Sequence, residues 1–397
     1  MNIVDLPNKI GLLEKNLRTS ACVTIDQMGA TIWKLVKFVI AVSILLTALV
    51  VLFFKTAPTF GAQAGTEGQV RIQQSPNFNG KTFVNLVPTV VSTPDPASET
   101  DFSLLEFFLP TAGKNPTEPL PSRRFDPASF ENGDFVWFGH STILFKTDGL
   151  TVLTDPVFNR ASPIPFTVSP FPVKVDNPIE VLPKIDIVLI SHDHYDHLDH
   201  KAIGVLANKV ERFLVPLGVK SHLLRWGVAE NKVDEFDWYE STKHQTLELT
   251  FAPSRHFSGR RSFNADTTLW GSWIARSSAQ NVYFSGDGGY FEEFKHIGET
   301  YGPFDIAFVE NGAYDVNWSQ IHLKPEESVQ ASIDLRAQVF FPIHWAKFDL
   351  ALHHWTEPVV RAKAAAERNQ VKLATPRIGQ VFTLFDYPSD EWWLEVE

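Results

Sequence analysis

The sequence predicts an α/β domain, a mixed sheet system covered by helices, behind one N-terminal membrane-spanning helix. Two observations predict the domain. Short apolar runs rich in β-branched and aromatic residues recur from Phe135 onward, and helix-like stretches lie between some of them. A third predicts the leading helix: the run Phe38–Phe54 is apolar on every face, unlike the stripe of a helix that packs on a core.

That run, "FVIAVSILLTALVVLFF", has 17 residues and no charge. As a helix it rises about 25 Å, near the lower limit for crossing a bilayer. Trp33 precedes it and Lys55 closes it, as interfacial anchors do. Arg18, Lys34 and Lys37 lie before it, whereas only Lys55 and Arg71 follow closely. This bias puts residues 1–37 in the cytoplasm and the large domain outside, with 38–54 as an uncleaved signal anchor. The alternative is a cleaved secretory signal, because "AQA" at Ala62–Ala64 fits a small-x-small cleavage site. Residues 55–100 are rich in Thr, Pro, Gly, Ser and Gln and read as a linker. The domain is assigned to 101–397, beginning with the short apolar segment "FSLLEFFLP" at Phe102–Pro110.

The expected strands are "FVWFGHST", "LTVLTDP", "IDIVLISHDH", "RFLVPLG", "LELTFAPSRH", "SWIAR", "NVYFSGD", "DIAFVENG" and "AQVFFPIHW". The expected helices are "DHKAIGVLANK", "KPEESVQASIDL" and "EPVVRAKAAAERN". In several strands the last apolar residue hands over to a histidine or aspartate: His140, Asp155, His192, His256, Asp287 and His344. Ligands on rigid strand ends can converge on one edge of a sheet core.

Charge and cysteine content exclude several classes. The net charge is -11; residues 1–64 carry six basic and three acidic groups, which leaves -14 for the rest. Such a body lacks the basic footprint that nucleic acid requires. The single cysteine, Cys22, precedes the domain, so no disulfide, thiolate metal site or thiol nucleophile is available there.

The stretch "ISHDHYDHLDH", Ile190–His200, places four histidines and three aspartates directly after the apolar run "IDIVL". It contains H-x-H-x-D-H, and imidazoles and carboxylates are ligands for first-row metals. The motif holds more donors than one open tetrahedral ion needs. The spacing suits two ions, with His192 and His194 facing one and Asp196 and His197 the other. Asp199 and His200 lie past the site, where an aspartate favours the start of the next helix.

In its motifs the chain resembles the metallo-β-lactamase fold, an αββα sandwich. The match runs from about Trp137 to Thr383 through "WFGHST", "LTDPVF", "ISHDHYDHLD", "FAPSRHFSGR", "LWGSW", "FSGDGGY", "GPFDIAF", "IHLKPEE" and "PIHWAKF". The later motifs resemble the branch of N-acyl-phosphatidylethanolamine-hydrolysing phospholipase D and its bacterial relatives. The resemblance implies that His192, His194 and His256 hold one zinc, Asp196, His197 and His344 a second, and that Asp287 bridges them. It places His322 near a substrate phosphate and makes Asp155 a supporting carboxylate. His140 is either a second support or a core histidine. Asp287, Asp196 and His322 are the candidate catalytic residues. Two departures stand out: "GDGGY" where the family has "GDTGY", and "SHDH" where it has "SHNH". The extra Asp193 is expected to add negative charge beside the site.

Two such ions activate water for attack on a phosphodiester or a carbonyl. The leading expectation is therefore a membrane-associated, dinuclear metal-dependent hydrolase acting on a phosphodiester such as an N-acyl phospholipid. Zinc is the expected metal, with manganese or iron also compatible with the donors. Its partners are a lipid or small-molecule phosphodiester and the membrane, not nucleic acid. The alternatives are a lactonase or β-lactamase-like hydrolase of the same fold and a non-catalytic envelope binding protein.

Overall fold

Alternation along the strands decides the layering. In β1 (Asp134–Trp137), Phe135 and Trp137 join one apolar cluster and Val136 another. In β11 (Phe304–Glu310), Ile306 and Phe308 join that first cluster, whereas Ala307 and Val309 join a third. Strands buried on both faces need covering layers on each side. The computed structural model of the chain accordingly has helices, sheet, sheet and helices in succession. It describes residues 6–92, 112–261 and 265–396. The apolar segment Phe102–Pro110 lies outside the described residues.

The first sheet runs β13 (Val381–Thr383), β1, β2 (Ile143–Thr147), β3 (Leu150–Thr154), β4 (Ile185–Leu189), β5 (Val210–Pro216), β6 (Val233–Phe236). The second runs β12 (Ala337–Ile343), β11, β10 (Asn281–Phe284), β9 (Ser272–Arg276), β8 (Leu247–Ala252), β7 (Ser241–His244). Trp137, Phe145, Phe251, Trp273, Phe308 and Phe341 fill the space between the sheets. The short helices at His200–Leu206 and Lys220–Arg225 cover the first sheet through Ile203, Leu206 and Leu223. Those at Glu293–Tyr301, Pro325–Asp334 and Glu357–Asn369 cover the second through Ile297, Val329 and Ala362.

Strand direction positions the site. β1, β3 and β4 share one direction in the first sheet, since β2 is antiparallel to both β1 and β3 and β3 is parallel to β4. β8, β10, β11 and β12 likewise share one direction in the second. His140, Asp155, His192, His256, Asp287 and His344 each follow the C-terminal end of one of these strands. The oppositely directed β2 and β9 contribute none of them.

The N-terminal helix, α1 (Leu6–Thr56), is longer than the apolar run. Gln27–Thr56, 30 residues that include an 18-residue window of mean hydropathy 2.8, is long and apolar enough to cross a membrane. At 1.5 Å per residue it measures about 45 Å. Met1–Ala57 and Pro58–Glu397 form two separate compact units.

That boundary corrects the expected linker at 55–100. Pro58–Ser92 belong to the larger unit: Phe60, Ile72 on α2 (Thr66–Gln74), and Phe83 are each at most 2% exposed. Thr/Pro/Gly/Gln-rich composition reads as a spacer, but three buried apolar side chains are enough to fasten it. Asn85 then pairs with the backbone of His256, its Nδ2 donating to the carbonyl at 2.7 Å and its Oδ1 accepting from the N–H at 3.0 Å. Phe60→Ala is expected to destabilise this unit by about 3–5 kcal/mol, the cost of deleting a fully buried aromatic side chain. Chemical denaturation of the full chain measures it; unchanged stability would return this segment to the status of a spacer.

Candidate metal centre

The loop after β4 turns abruptly because its carboxylates and imidazoles are tied to the strand ends around it. Asp155 is the main tie. Its Oδ1 accepts from the Ser191 N–H at 2.8 Å; its Oδ2 meets the Ser191 hydroxyl at 2.5 Å and His197 Nδ1 at 2.7 Å. With Nδ1 donating to Asp155, His197 keeps Nε2 for the opposite side of the ring. Gly286 must be glycine: its φ is +58°, and a Cβ would come within 2.5 Å of the Ser191 side chain. His140, Asp155 and His344 also hold positive φ, at 54°, 33° and 68°, a strained backbone of the kind that functional sites retain.

Two donor sets result. His192 Nε2 and His256 Nε2 lie 2.9 and 3.2 Å from His194 Nδ1. Asp287 Oδ2 faces His192 and His256 at 3.9 and 3.8 Å. Donor atoms around a tetrahedral ion with bonds of about 2.1 Å stand about 3.4 Å apart, so these separations bracket the requirement. His256 Nδ1 donates to the Ile321 carbonyl at 2.9 Å, which leaves its Nε2 lone pair facing the set.

The second set gathers on Asp196 and on both oxygens of Asp287. His344 Nε2 lies 3.2 Å from Asp196 Oδ2 and 3.0 Å from Asp287 Oδ2. His197 Nε2 lies 3.1 Å from Asp287 Oδ1 and 3.5 Å from Asp196 Oδ2. His140 joins this set, its Nε2 3.0 Å from Asp196 Oδ2 and its ring centroid 4.0 Å from that of His344. The buried His140 is thus a partner of Asp196 rather than a plain core residue.

The residues fit a pair of cations. Five imidazoles and two carboxylates crowd together with little solvent, and such burial is costly without a compensating charge. His197 Nε2 and Asp287 Oδ1 are buried and 3.1 Å apart, yet neither has a hydrogen-bond partner. They face each other without hydrogen-bond alignment, an arrangement that a shared metal ion would satisfy.

Protonation follows the same division except at His140, which burial lowers to about 3. Burial, helped by neighbouring imidazoles, holds His192 and His256 well below the usual histidine range, and burial also lowers His194. These rings are neutral and ready to donate lone pairs. Burial alone would lower His344 too, but the Asp287 and Asp196 carboxylates overcome it and push it up to about 10. Facing the same carboxylates and Asp155, His197 is also raised. Burial would raise Asp287; His197 and His344 instead hold it well below the carboxylate range. Protons on two imidazoles thus balance the carboxylates that cations would otherwise neutralise.

Three features correct or extend the sequence reading. Asp193 turns away from the donor sets: its Oδ2 lies 3.2 Å from His222 Nε2 and its Oδ1 accepts from the Gly259 N–H at 2.7 Å. The Arg260 guanidinium binds the Asp193 and Leu198 carbonyls, so the expected excess negative charge is matched locally. Asp199 caps the following helix, as its place past the motif led one to expect, accepting from the N–H groups of Lys201 and Ala202. Glu310, a fully buried acid ending β11, was not singled out from sequence; it contacts His322 Nδ1, and its Oε2 accepts from the Gly288 N–H at 2.7 Å. His322 itself stands beside both sets, its ring centroid 5.1 Å from His256 and 5.5 Å from His344.

The chain is similar to known proteins in sequence and in fold. A family model described as the beta-lactamase superfamily domain matches residues 151–345. An uncharacterised protein of Mycobacterium tuberculosis is 40% identical over 339 residues, 82% of this chain and 88% of its own length. N-acyl-phosphatidylethanolamine-hydrolyzing phospholipase D 1 of Caenorhabditis elegans is 32% identical over 292 residues, 68% of this chain and 81% of its own. Among solved structures, a possible metal-dependent hydrolase of Veillonella parvula shares the fold, with a TM-score of 0.50 at 14% identity over 64% of this chain and 100% of that one. The chain therefore belongs to the metallo-β-lactamase superfamily of metal-dependent hydrolases, in the branch that includes the N-acyl-phosphatidylethanolamine-hydrolysing phospholipases D.

Proposed function

We propose that this chain is a membrane-tethered, two-cation phosphodiesterase of phospholipase D type, acting on N-acyl phospholipids or chemically related diesters. The observation that carries the reading is Asp287, whose two oxygens address both donor sets. His192, His194 and His256 would hold one ion, Asp196, His197 and His344 the other, with Asp287 between them. When bound, the ions supply activation of water and charge stabilisation at a phosphoryl oxygen. Zinc is the proposed metal, and manganese or iron would suit the same donors. The diester substrate is proposed from the named activity of the Caenorhabditis elegans relative.

The chain's own residues supply the rest. His140 steadies Asp196, and Asp155 steadies His197 and the strand end. His322 lies beside both sets, where an imidazole can hydrogen-bond a phosphoryl oxygen or exchange a proton with the leaving group. His322→Ala is expected to retain both metals and lower diester turnover by roughly 10²-fold. Metal analysis beside kinetics checks this; loss of metal would make His322 a structural residue. Incubating the full chain with an N-acylated phospholipid, a phosphomonoester, a lactone and a β-lactam tests the substrate class. Turnover of the lactone or β-lactam alone would overturn the phosphodiesterase reading, and no turnover with no bound metal would favour a binding protein.

The domain is proposed to lie outside the cytoplasm, with an uncleaved anchor. Cleavage after Ala64 would remove Phe60 from the core. It would also remove the Ala62 N–H that donates to His222 Nδ1 at 2.9 Å, and the Pro58 carbonyl that accepts from Trp226 Nε1 at 2.7 Å. A reporter fused after Glu397 should be active only outside the cytoplasm. A mature N-terminus at Gly65 would contradict the uncleaved anchor.

A further inference from the structure

Glu310 is an expensive residue for its place. It ends an otherwise apolar strand, its side chain has no solvent exposure, and burial raises its carboxyl above the usual range against the opposing pull of His322. Three elements hold it in position. Its backbone N–H donates to Ser285 Oγ at 2.9 Å, and its carbonyl accepts from Ser328 Oγ at 2.5 Å. Its carboxylate meets the Gly288 N–H through Oε2 and His322 Nδ1 through Oε1.

One of its oxygens lies within 4.8 Å of a donor atom on each of Asp287, His322 and His344, so it borders the metal-binding face. His344 turns Nε2 toward Asp196 and Asp287, and Glu310 stands behind that ring, 3.8 Å from Nδ1. The second oxygen of Glu310 is already occupied by Gly288. Its remaining oxygen is directed at His322, the histidine that belongs to neither donor set.

We infer that Glu310 is a positioning residue: it fixes the ring orientation and tautomer of His322, so that Nε2 is the nitrogen presented to substrate. The Glu310 carboxylate accepts from the Gly288 N–H through Oε2 and meets Nδ1 of the ring through Oε1, which places the shared hydrogen on Nδ1. Nε2 then remains for a phosphoryl or leaving-group oxygen. Because Gly288 adjoins Asp287, the same carboxylate also sets His322 relative to the loop that carries the bridging aspartate. This inference rests on the proposed role of His322 in hydrolysis.

Glu310→Gln tests it. An amide offers one acceptor oxygen, so it can serve the Gly288 N–H or His322 Nδ1–H but not both. The expected result is a fall in kcat of roughly 10-fold or more with KM little changed and two metals retained, smaller than the roughly 10²-fold available to acid–base catalysis. In a His322→Ala background, Glu310→Gln should cost almost nothing further, because the two residues act as one unit. An equal cost in both backgrounds, or loss of metal from Glu310→Gln, would overturn the inference and leave Glu310 as a structural brace. If Glu310→Gln fails to fold, nitrogen NMR of histidine-labelled wild-type full chain, assigned against His322→Ala, decides instead. The hydrogen of neutral His322 is expected on Nδ1; a hydrogen on Nε2 would refute the inference. Wild-type inactivity toward N-acyl phospholipids, with His322 still in the Nδ1–H form, would refute the substrate proposal and leave the positioning role intact.

Discussion

Asp287→Ala is expected to be the most damaging single substitution in the chain. Asp287 is 2% exposed and faces His192, His256, His197 and His344 at 3.0–3.9 Å. Removing it would take the proposed shared ligand from both donor sets. Turnover should fall by well over about 100-fold, the upper end of what losing a supporting partner costs. Bound metal should fall with it. Kinetics and metal analysis on protein whose circular dichroism matches wild type measure both. Near-normal turnover would remove Asp287 from the centre of the account.

Asp155→Ala should rank next. No solvent reaches this carboxylate, and its loss would leave the Ser191 N–H, the Ser191 hydroxyl and His197 Nδ1 without their acceptor. Each stranded buried donor costs about 1–3 kcal/mol, so the turn after β4 should loosen as well. Metal affinity is expected to drop by roughly 10–100-fold, as it does when the hydrogen-bond partner of a ligating histidine is lost. Competition against a chelator of known affinity measures the change. Unchanged affinity would show that His197 is oriented by something other than Asp155.

Much of the site was legible because its pieces are punctuation. His140, Asp155, His192, His256, Asp287 and His344 each close an apolar run, and polar residues at such points stand out against a strand pattern. Their convergence followed from strand direction, which sequence periodicity does not encode. His140 was ambiguous because one histidine after a glycine reads equally as core or support; only its 3.0 Å approach to Asp196 decides. Glu310 was invisible for a similar reason: an acid in "FVENG" looks like the start of a solvated turn. Its burial depends on Ser285, Gly288, His322 and Ser328, all distant or non-periodic in sequence. The segment from Pro58 to Ser92 was misread from composition, since its fastening relies on isolated apolar residues such as Phe60 and Phe83 rather than on a repeating face. Asp193 was read by charge alone, whereas its direction is set by His222 and Gly259.

The central claim, that two cations share Asp287 to hydrolyse a phosphodiester, is tested most directly by titrating metal into metal-free full-length protein while recording hydrolysis of an N-acylated phospholipid. Two ions should bind per chain, with full activity reached only as the second site fills. Full activity at one ion per chain, or activity indifferent to added metal, would contradict it.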